Sequence, residues 1–263
     1  MATNKVAVVT GGASGIGAAT AIRLAEAGYD AAVVDRNEDG GRATVTAIEK
    51  LGRKAKFYAC DVSDPKAVEV LADTVERELG PVHALVTAAG LIPSSESVLD
   101  MDMAAHDRMW KVNYDGTLYC CQSFARRMIP RKAGGIVTIG SINSKQPMPL
   151  PAYNVGKAAV ERLTQLLAVE LGRHTIRVNS VGPTYVMTPP LREKVAKGER
   201  DLPKMMSVHA LPYLPEPVDI ANAIAFLLSD QARAITGILL PVDSGWLSGV
   251  PYLTYSGGVP WKA

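Results

Sequence analysis

What most restricts the fold of this chain is a strict alternation. Short apolar runs rich in Val, Ile and Ala are followed, again and again, by longer stretches with an apolar helical face. Val6 to Thr10, Ala31 to Asp35, Lys56 to Ala59, Ala84 to Thr87, Gly135 to Gly140, Arg177 to Val181 and Ile238 to Val242 read as strands. Gly15 to Ala27, Glu38 to Leu51, Pro65 to Leu79, Met103 to Met128, Ala152 to Leu171 and Pro217 to Leu228 read as helices, the fourth of them bent near Gly116. Gly28, Gly52 and Gly80 stand where helices need a stop, and Pro65 suits a first turn. Strands apolar on both faces, each followed by a helix, must pair in parallel and be covered above and below. Right-handed crossovers then give a doubly wound α/β sheet.

No shift in composition divides the chain, so one domain is expected over residues 1–245, dinucleotide-binding and catalytic together. Two stretches fall outside the alternation. Residues 189–214 hold four prolines with Lys and Arg between them, and are expected to form a substrate loop or short helices. Residues 246–263 form a Gly/Pro/aromatic tail that is expected to lie on its own body or on a neighbouring subunit. A charged fraction of 21% and a hydrophobic fraction of 48% exclude wholesale disorder.

The net charge of +2 excludes a protein built to coat nucleic acid. The densest basic cluster, Arg126, Arg127, Arg131 and Lys132, reads as a solvated helix end. Three cysteines, two of them adjacent and none in C-x-x-C, make neither a disulfide framework nor a zinc site. The four histidines have no ligand spacing, so no metal is expected. The apolar run at residues 6–9 is shorter than the ~7–15 residues of a signal-peptide core, and no run approaches the ~20 needed to span a bilayer. A cytoplasmic, membrane-free protein is expected.

The first strand leads into Thr10-Gly11-Gly12-Ala13-Ser14-Gly15-Ile16-Gly17 and then a helix. Glycines there let a pyrophosphate approach backbone N–H groups, and the helix N-terminus adds partial positive charge. A tight strand–helix turn uses glycines without any ligand too. In this position, though, the turn points to the Rossmann version of the doubly wound fold. Asp35 closes the second strand, where a carboxylate accepts hydrogen bonds from the adenosine ribose hydroxyls and repels a 2′-phosphate. That favours NAD over NADP, although Arg36 offers a cation beside it. The bland alternative for Asp35 is a cap on the next helix.

The fifth strand runs into Ser141, at the carboxyl edge where ligands bind in open α/β sheets. Tyr153 and Lys157 follow at i, i+4 on one helix face. An ammonium beside a phenol is expected to lower its pKa from about 10 and make it a usable acid/base.

With these residues the chain resembles the classical short-chain dehydrogenase/reductases. The likeness runs from Lys5 to about Gly245 and rests on TGGASGIG at 10–17, Asp61-Val62, Asn113, Ser141, Tyr153 with Lys157, and NSVGPTYVMT at 179–188. It implies Tyr153 as general acid/base, Ser141 as the hydrogen-bond partner of the substrate oxygen, and Lys157 on the nicotinamide ribose. Asn113 would anchor a water in a proton relay, or else merely satisfy a helix kink. Asp61 and Val62 would contact adenine, although Asp61 could simply cap the helix after it. Ile16 would pack under the cofactor, while Pro183, Val186 and Thr188 would meet its nicotinamide end. Two departures stand out. The family's Asn-Asn-Ala-Gly after strand four is Thr87-Ala88-Ala89-Gly90, where Ala89 and Gly90 remain cofactor candidates, and its Pro-Gly after strand six is Pro183-Thr184.

The expected reaction interconverts a secondary alcohol and its ketone by hydride transfer to NAD. Asn143, Gln146, Met148, Tyr185 and Met187 are expected to wall a mixed pocket, together with residues 91–97, and Asn143 and Tyr185 are the substrate candidates. Such a pocket suits a sugar alcohol, a sugar or a cyclic alcohol. Two alternatives stay open: a 3-oxoacyl-acyl-carrier-protein reductase docking its carrier on Arg131, Lys132 and Arg173, and a non-catalytic NAD-sensing protein. The family implies a homotetramer.

Overall fold

A computed structural model describes residues 5–92 and 94–261. The first four residues of the expected domain, Pro93 of the expected pocket wall and the last two residues of the tail lie outside them.

The elements follow the alternation. In chain order they are β1 (Lys5–Thr10), α1 (Gly15–Glu26), β2 (Tyr29–Asp35), α2 (Glu38–Glu49), β3 (Ala55–Ala59), α3 (Pro65–Glu78) and β4 (Val82–Thr87). Then come α4 (Met103–Trp110), α5 (Gly116–Met128), β5 (Gly134–Ile139), α6 (Pro151–Gly172) and β6 (Ile176–Pro183). The chain closes with α7 (Pro189–Ala196), α8 (Leu202–Met206), α9 (Pro217–Leu228), β7 (Leu239–Val242) and α10 (Trp246–Leu253). Caps explain where several helices start. Asn37 accepts from the Gly40 N–H at α2, Asp64 from Lys66 and Ala67 at α3, and Asp102 from Ala104 at α4.

The sheet order is β3-β2-β1-β4-β5-β6-β7, with all pairs parallel. The order reverses between β1 and β4, which opens a crevice beyond their carboxyl ends. Alternate strand residues feed two apolar layers. Val8, Val34, Leu85 and Ile136 pack with Phe124 of α5 and Leu71 of α3 on one face. Val9, Val33, Val86 and Val137 pack with Leu24 of α1 and Ile224 of α9 on the other. Burying a side chain such as Leu24 contributes ~1.5–3 kcal/mol. The three cysteines belong to the first layer, and burial pushes the Cys60 thiol up to about 11 and Cys121 to about 12.

Three stretches gain detail. The long helix is interrupted before Gly116 by a π-helical turn over Lys111–Asp115. Gly116 itself starts α5, and a Cβ there would lie 2.7 Å from a Val62 methyl. Residues 189–214 hold two short helices, α7 and α8. The tail opens with a helix, α10, whose Trp246 is buried and whose Gly249 packs so closely that a Cβ would sit 2.5 Å from the Val208 carbonyl. It lies on its own body, with Tyr252 and Trp261 stacked beyond it. Among the described residues no helix is long and apolar enough to cross a membrane.

Candidate active site

Backbone crowding dictates the turn from β1 to α1. Gly11 holds φ +68°, and a Cβ on it would lie 2.7 Å from the Ala88 carbonyl carbon across the switch point. A Cβ on Gly17 would lie 2.0 Å from the Gly11 oxygen, so any larger residue breaks the turn. α1 opens without a side-chain cap and with no acidic residue in its first turn. Its first N–H groups and its positive dipole end are therefore left for a ligand.

A groove of about 970 Å³ runs over this turn. Gly11, Ser14, Gly15, Ile16, Gly17, Asp35, Arg36, Asp61, Val62, Ala89, Gly90 and Thr188 all line it, so the structure gathers twelve separately chosen positions into one trough. The Asp35 carboxylate accepts from Ala13 N–H at 3.0 Å with one oxygen, and from Arg36 and Asn37 with the other. It braces the turn against the strand end; Asn37, not Asp35, caps α2. Asp61 accepts from the Ser63 hydroxyl and N–H, which hold its carboxyl below the usual range, and faces Arg36 at 3.6 Å. The helix after it is capped by Asp64.

The segment after β4 lacks the family's asparagines and is held otherwise. Ala89 N–H donates to the buried Thr10 hydroxyl at 3.2 Å. Asn113, buried in the π turn, accepts from Leu91 N–H at 2.7 Å and donates to its carbonyl at 2.9 Å. Each end of the amide is thus engaged with Leu91, which ties the segment after β4 to the π turn. Pro183 and Val186 are not among the groove's lining residues. Val186 packs into the second apolar layer, and its carbonyl accepts from Thr188 N–H.

A second cluster forms at the end of β5. Ser141 is buried and extended and opens a 3₁₀ turn over Ile142–Ser144, its hydroxyl accepting from Asn143 N–H at 3.1 Å. Tyr153, in the first turn of α6, stands near enough to the Ser141 side chain for that side chain to act on its titration. Lys157, one turn on, is buried; its Nζ donates to the Ile139 carbonyl at 2.6 Å and lies 5.5 Å from the Tyr153 ring centroid. The expected lowering of the phenol by the ammonium is not met. Burial is the largest influence on Tyr153 and raises it above 10, with the Ser141 side chain opposing. Burial also pulls Lys157 down to about 8, since no carboxylate offsets its desolvation.

The expected pocket walls meet: Glu96 N–H donates to the Pro149 carbonyl, joining the segments after β4 and β5. Asn143 is buried beneath Ser141. Tyr185 is half-buried, its ring 6.4 Å from that of His209. Thr184, in place of the family's glycine, uses its hydroxyl on His209 Nε2 at 3.1 Å. Sequence reasoning missed His209, Thr10, and the α4 residues Ala105, Arg108 and Met109 that extend the groove. The threonine-for-glycine change signalled His209 and the glycine motif contained Thr10, whereas α4 reads as an ordinary solvated helix face.

The glycine cradle, the uncapped helix end and the braced carboxylate fit a dinucleotide. Comparison with known proteins agrees. A family model of the short-chain alcohol dehydrogenase type, described as enoyl-(acyl carrier protein) reductase, matches residues 11–247. The chain is 36% identical over 243 residues to galactitol 2-dehydrogenase of Rhizobium johnstonii, covering 91% of this chain and 94% of that one. It is similar to an NAD+-bound xylitol dehydrogenase, with TM-score 0.86, 29% identity and coverage of 92% and 99%. It is equally similar to ElxO with NADP bound, with TM-score 0.88, 28% identity and coverage of 93% and 99%. Agreement of this extent leaves one lineage, and the chain belongs to the short-chain dehydrogenase/reductase family, nicotinamide-dependent oxidoreductases that act on CH–OH groups.

Proposed function

We propose that the enzyme oxidises a secondary alcohol, a sugar alcohol, sugar or cyclic alcohol, to its ketone with NAD, using Tyr153 as the acid/base. The observation that carries this reading is the meeting of Ser141, Tyr153 and Lys157 at the carboxyl end of β5. Gly11, Ser14, Gly15, Ile16 and Gly17 would hold the cofactor's diphosphate, Asp35 its adenosine ribose, and Asp61 and Val62 its adenine; when bound, it supplies the hydride acceptor. Ser141 holds the substrate oxygen by its hydroxyl. Tyr153, as phenolate, takes the alcohol proton at its oxygen while Ser141 steadies the forming carbonyl. Lys157 places a positive charge beside the ring and would hold the nicotinamide ribose. Asn143 and Tyr185 would complete the substrate wall.

Asp35 supports NAD because a carboxylate at the adenosine end disfavours a 2′-phosphate. The enoyl-(acyl carrier protein) reductase description of the matching family keeps the acyl-carrier-protein reading in view. Its docking patch is weak, however. Arg131, one of its three basic residues, is bound by Glu76 and by the Val82 carbonyl. A screen of NAD reduction over polyols, sugars, cyclic alcohols and hydroxy acids, repeated with NADP, decides among these. Turnover of a polyol or cyclic alcohol with NAD supports the proposal. NADPH-dependent reduction of an acyl-carrier substrate alone supports the second reading, and cofactor binding with no turnover on any panel member supports a sensing role. A homotetramer is proposed for the assembled enzyme.

A further inference from the structure

α6 carries a third polar residue on the face that presents Tyr153 and Lys157. Glu161 lies one turn beyond Lys157, and positions 153, 157 and 161 follow one another at i, i+4. It is buried, which an unpaired carboxylate does not tolerate. Its partners all come from the turn that begins at Ser141. Oε2 accepts from the Ser144 hydroxyl at 2.6 Å, and Oε1 pairs with the Lys145 ammonium. Ser144 also reaches back to Ser141, its N–H 3.1 Å and its hydroxyl 2.9 Å from the Ser141 carbonyl. A serine hydroxyl has one proton, and the shorter, charged acceptor takes the larger share of it.

We infer that Glu161 is a positioning residue: through Ser144 and Lys145 it fixes the Ser141 turn against the helix that carries Tyr153. The inference rests on the acid/base reading above. The two hydroxyls come from separate segments, one after β5 and one in α6, and bringing both to one substrate oxygen needs the segments held in register. Thr138 and Thr164, whose hydroxyls meet at 2.8 Å, tie β5 to α6 further along. Glu161 ties down the end nearest the chemistry. An apolar residue at 161 would pack as well and avoid the desolvation of a carboxylate, so the gain from keeping one is geometric. Removing it does not orphan the turn, because the Ser144 hydroxyl still has the Ser141 carbonyl to bond.

The test measures kcat on the best alcohol of the screen, NAD affinity and melting temperature for Ser144→Ala, Ser144→Thr, Glu161→Gln and the double variant Ser144→Ala/Glu161→Gln, with Tyr153→Phe alongside. Displacement of a reacting group costs about 10- to 100-fold in kcat for Ser144→Ala and for Glu161→Gln, with NAD affinity within about twofold of wild type. Ser144→Thr, which keeps the hydroxyl, retains about half of wild-type kcat or more. The double variant is no worse than the worse single one, because both residues act through one clamp. Folded variants with kcat within about twofold of wild type and only a lowered melting temperature overturn the inference, as do losses that multiply in the double variant. Should Glu161→Gln not fold, the Ser144 pair decides alone. Survival of turnover in Tyr153→Phe sinks the acid/base reading instead, so the two failures are distinguishable.

Discussion

At residue scale the chemistry turns on two groups whose titration is shifted in opposite directions. Tyr153 is raised above its ordinary 10 by burial, so alcohol oxidation, which needs the phenolate, should climb with pH from neutral to at least about pH 9. Ketone reduction needs the protonated phenol and should hold its rate at neutral pH. A flat oxidation profile across that range would contradict the assignment. Tyr153→Phe should lower kcat by about 10²–10⁴-fold, with NADH binding intact by fluorescence titration. Lys157 titrates at about 8 in the fold against an ordinary 10.5. Between those values the unfolded chain binds more protons, so stability rises with pH across that window. Melting temperatures of wild type and Lys157→Met, compared from pH 7 to 10, should show the wild type gaining on the variant only above about pH 8.

At the scale of elements, α1 is built for a ligand at some cost to itself. Ser14→Asp would give the helix the cap and the first-turn anion that it lacks. The variant should melt no lower than wild type, yet bind NAD at least about tenfold more weakly, because its carboxylate faces the diphosphate. Calorimetric titration beside a thermal melt reads both. Why some elements were legible in the sequence and others not follows from their signals. β1 to α1 announced itself because glycines, an apolar run and a helical period coincide within residues 5–26. β2 and β6 extend past the predicted ends because Tyr29 and Pro183 lie outside the apolar runs used to bound them. The π turn carries no compositional mark: Lys-Val-Asn-Tyr-Asp reads as ordinary helix, and only the tie from Asn113 to Leu91 shows its use. α10 was hidden by Pro251 and Gly249, which mark a loop in sequence but are tolerated where the helix lies against residues 208–210. Glu161 carries no mark in the sequence, because sequence alone does not say that Ser144 and Lys145 fold onto it.

For the whole molecule, α6 leaves Val155, Leu166 and Val169 exposed, the last at 82%. A run of apolar side chains on an outer helix suits subunit contact, as the proposed tetramer requires. Leu166→Glu with Val169→Lys should shift the light-scattering mass to a smaller species; an unchanged mass would place the interface elsewhere. The doubly wound parallel sheet was legible from the alternation of elements, while the strand order and its switch point came from the structure. Spacing put Tyr153 and Lys157 on one helix face, but their meeting with Ser141 was legible only through resemblance to a family, since residues in separate elements meet by tertiary packing. The three sulfurs close the account. Cys60, Cys120 and Cys121 are buried with thiols raised far above neutral pH, so almost none is in the reactive anionic form. The native chain should therefore tolerate air and mild alkylating reagents, and a cysteine introduced on an outer loop would accept a fluorophore or spin probe without first stripping out the natural ones.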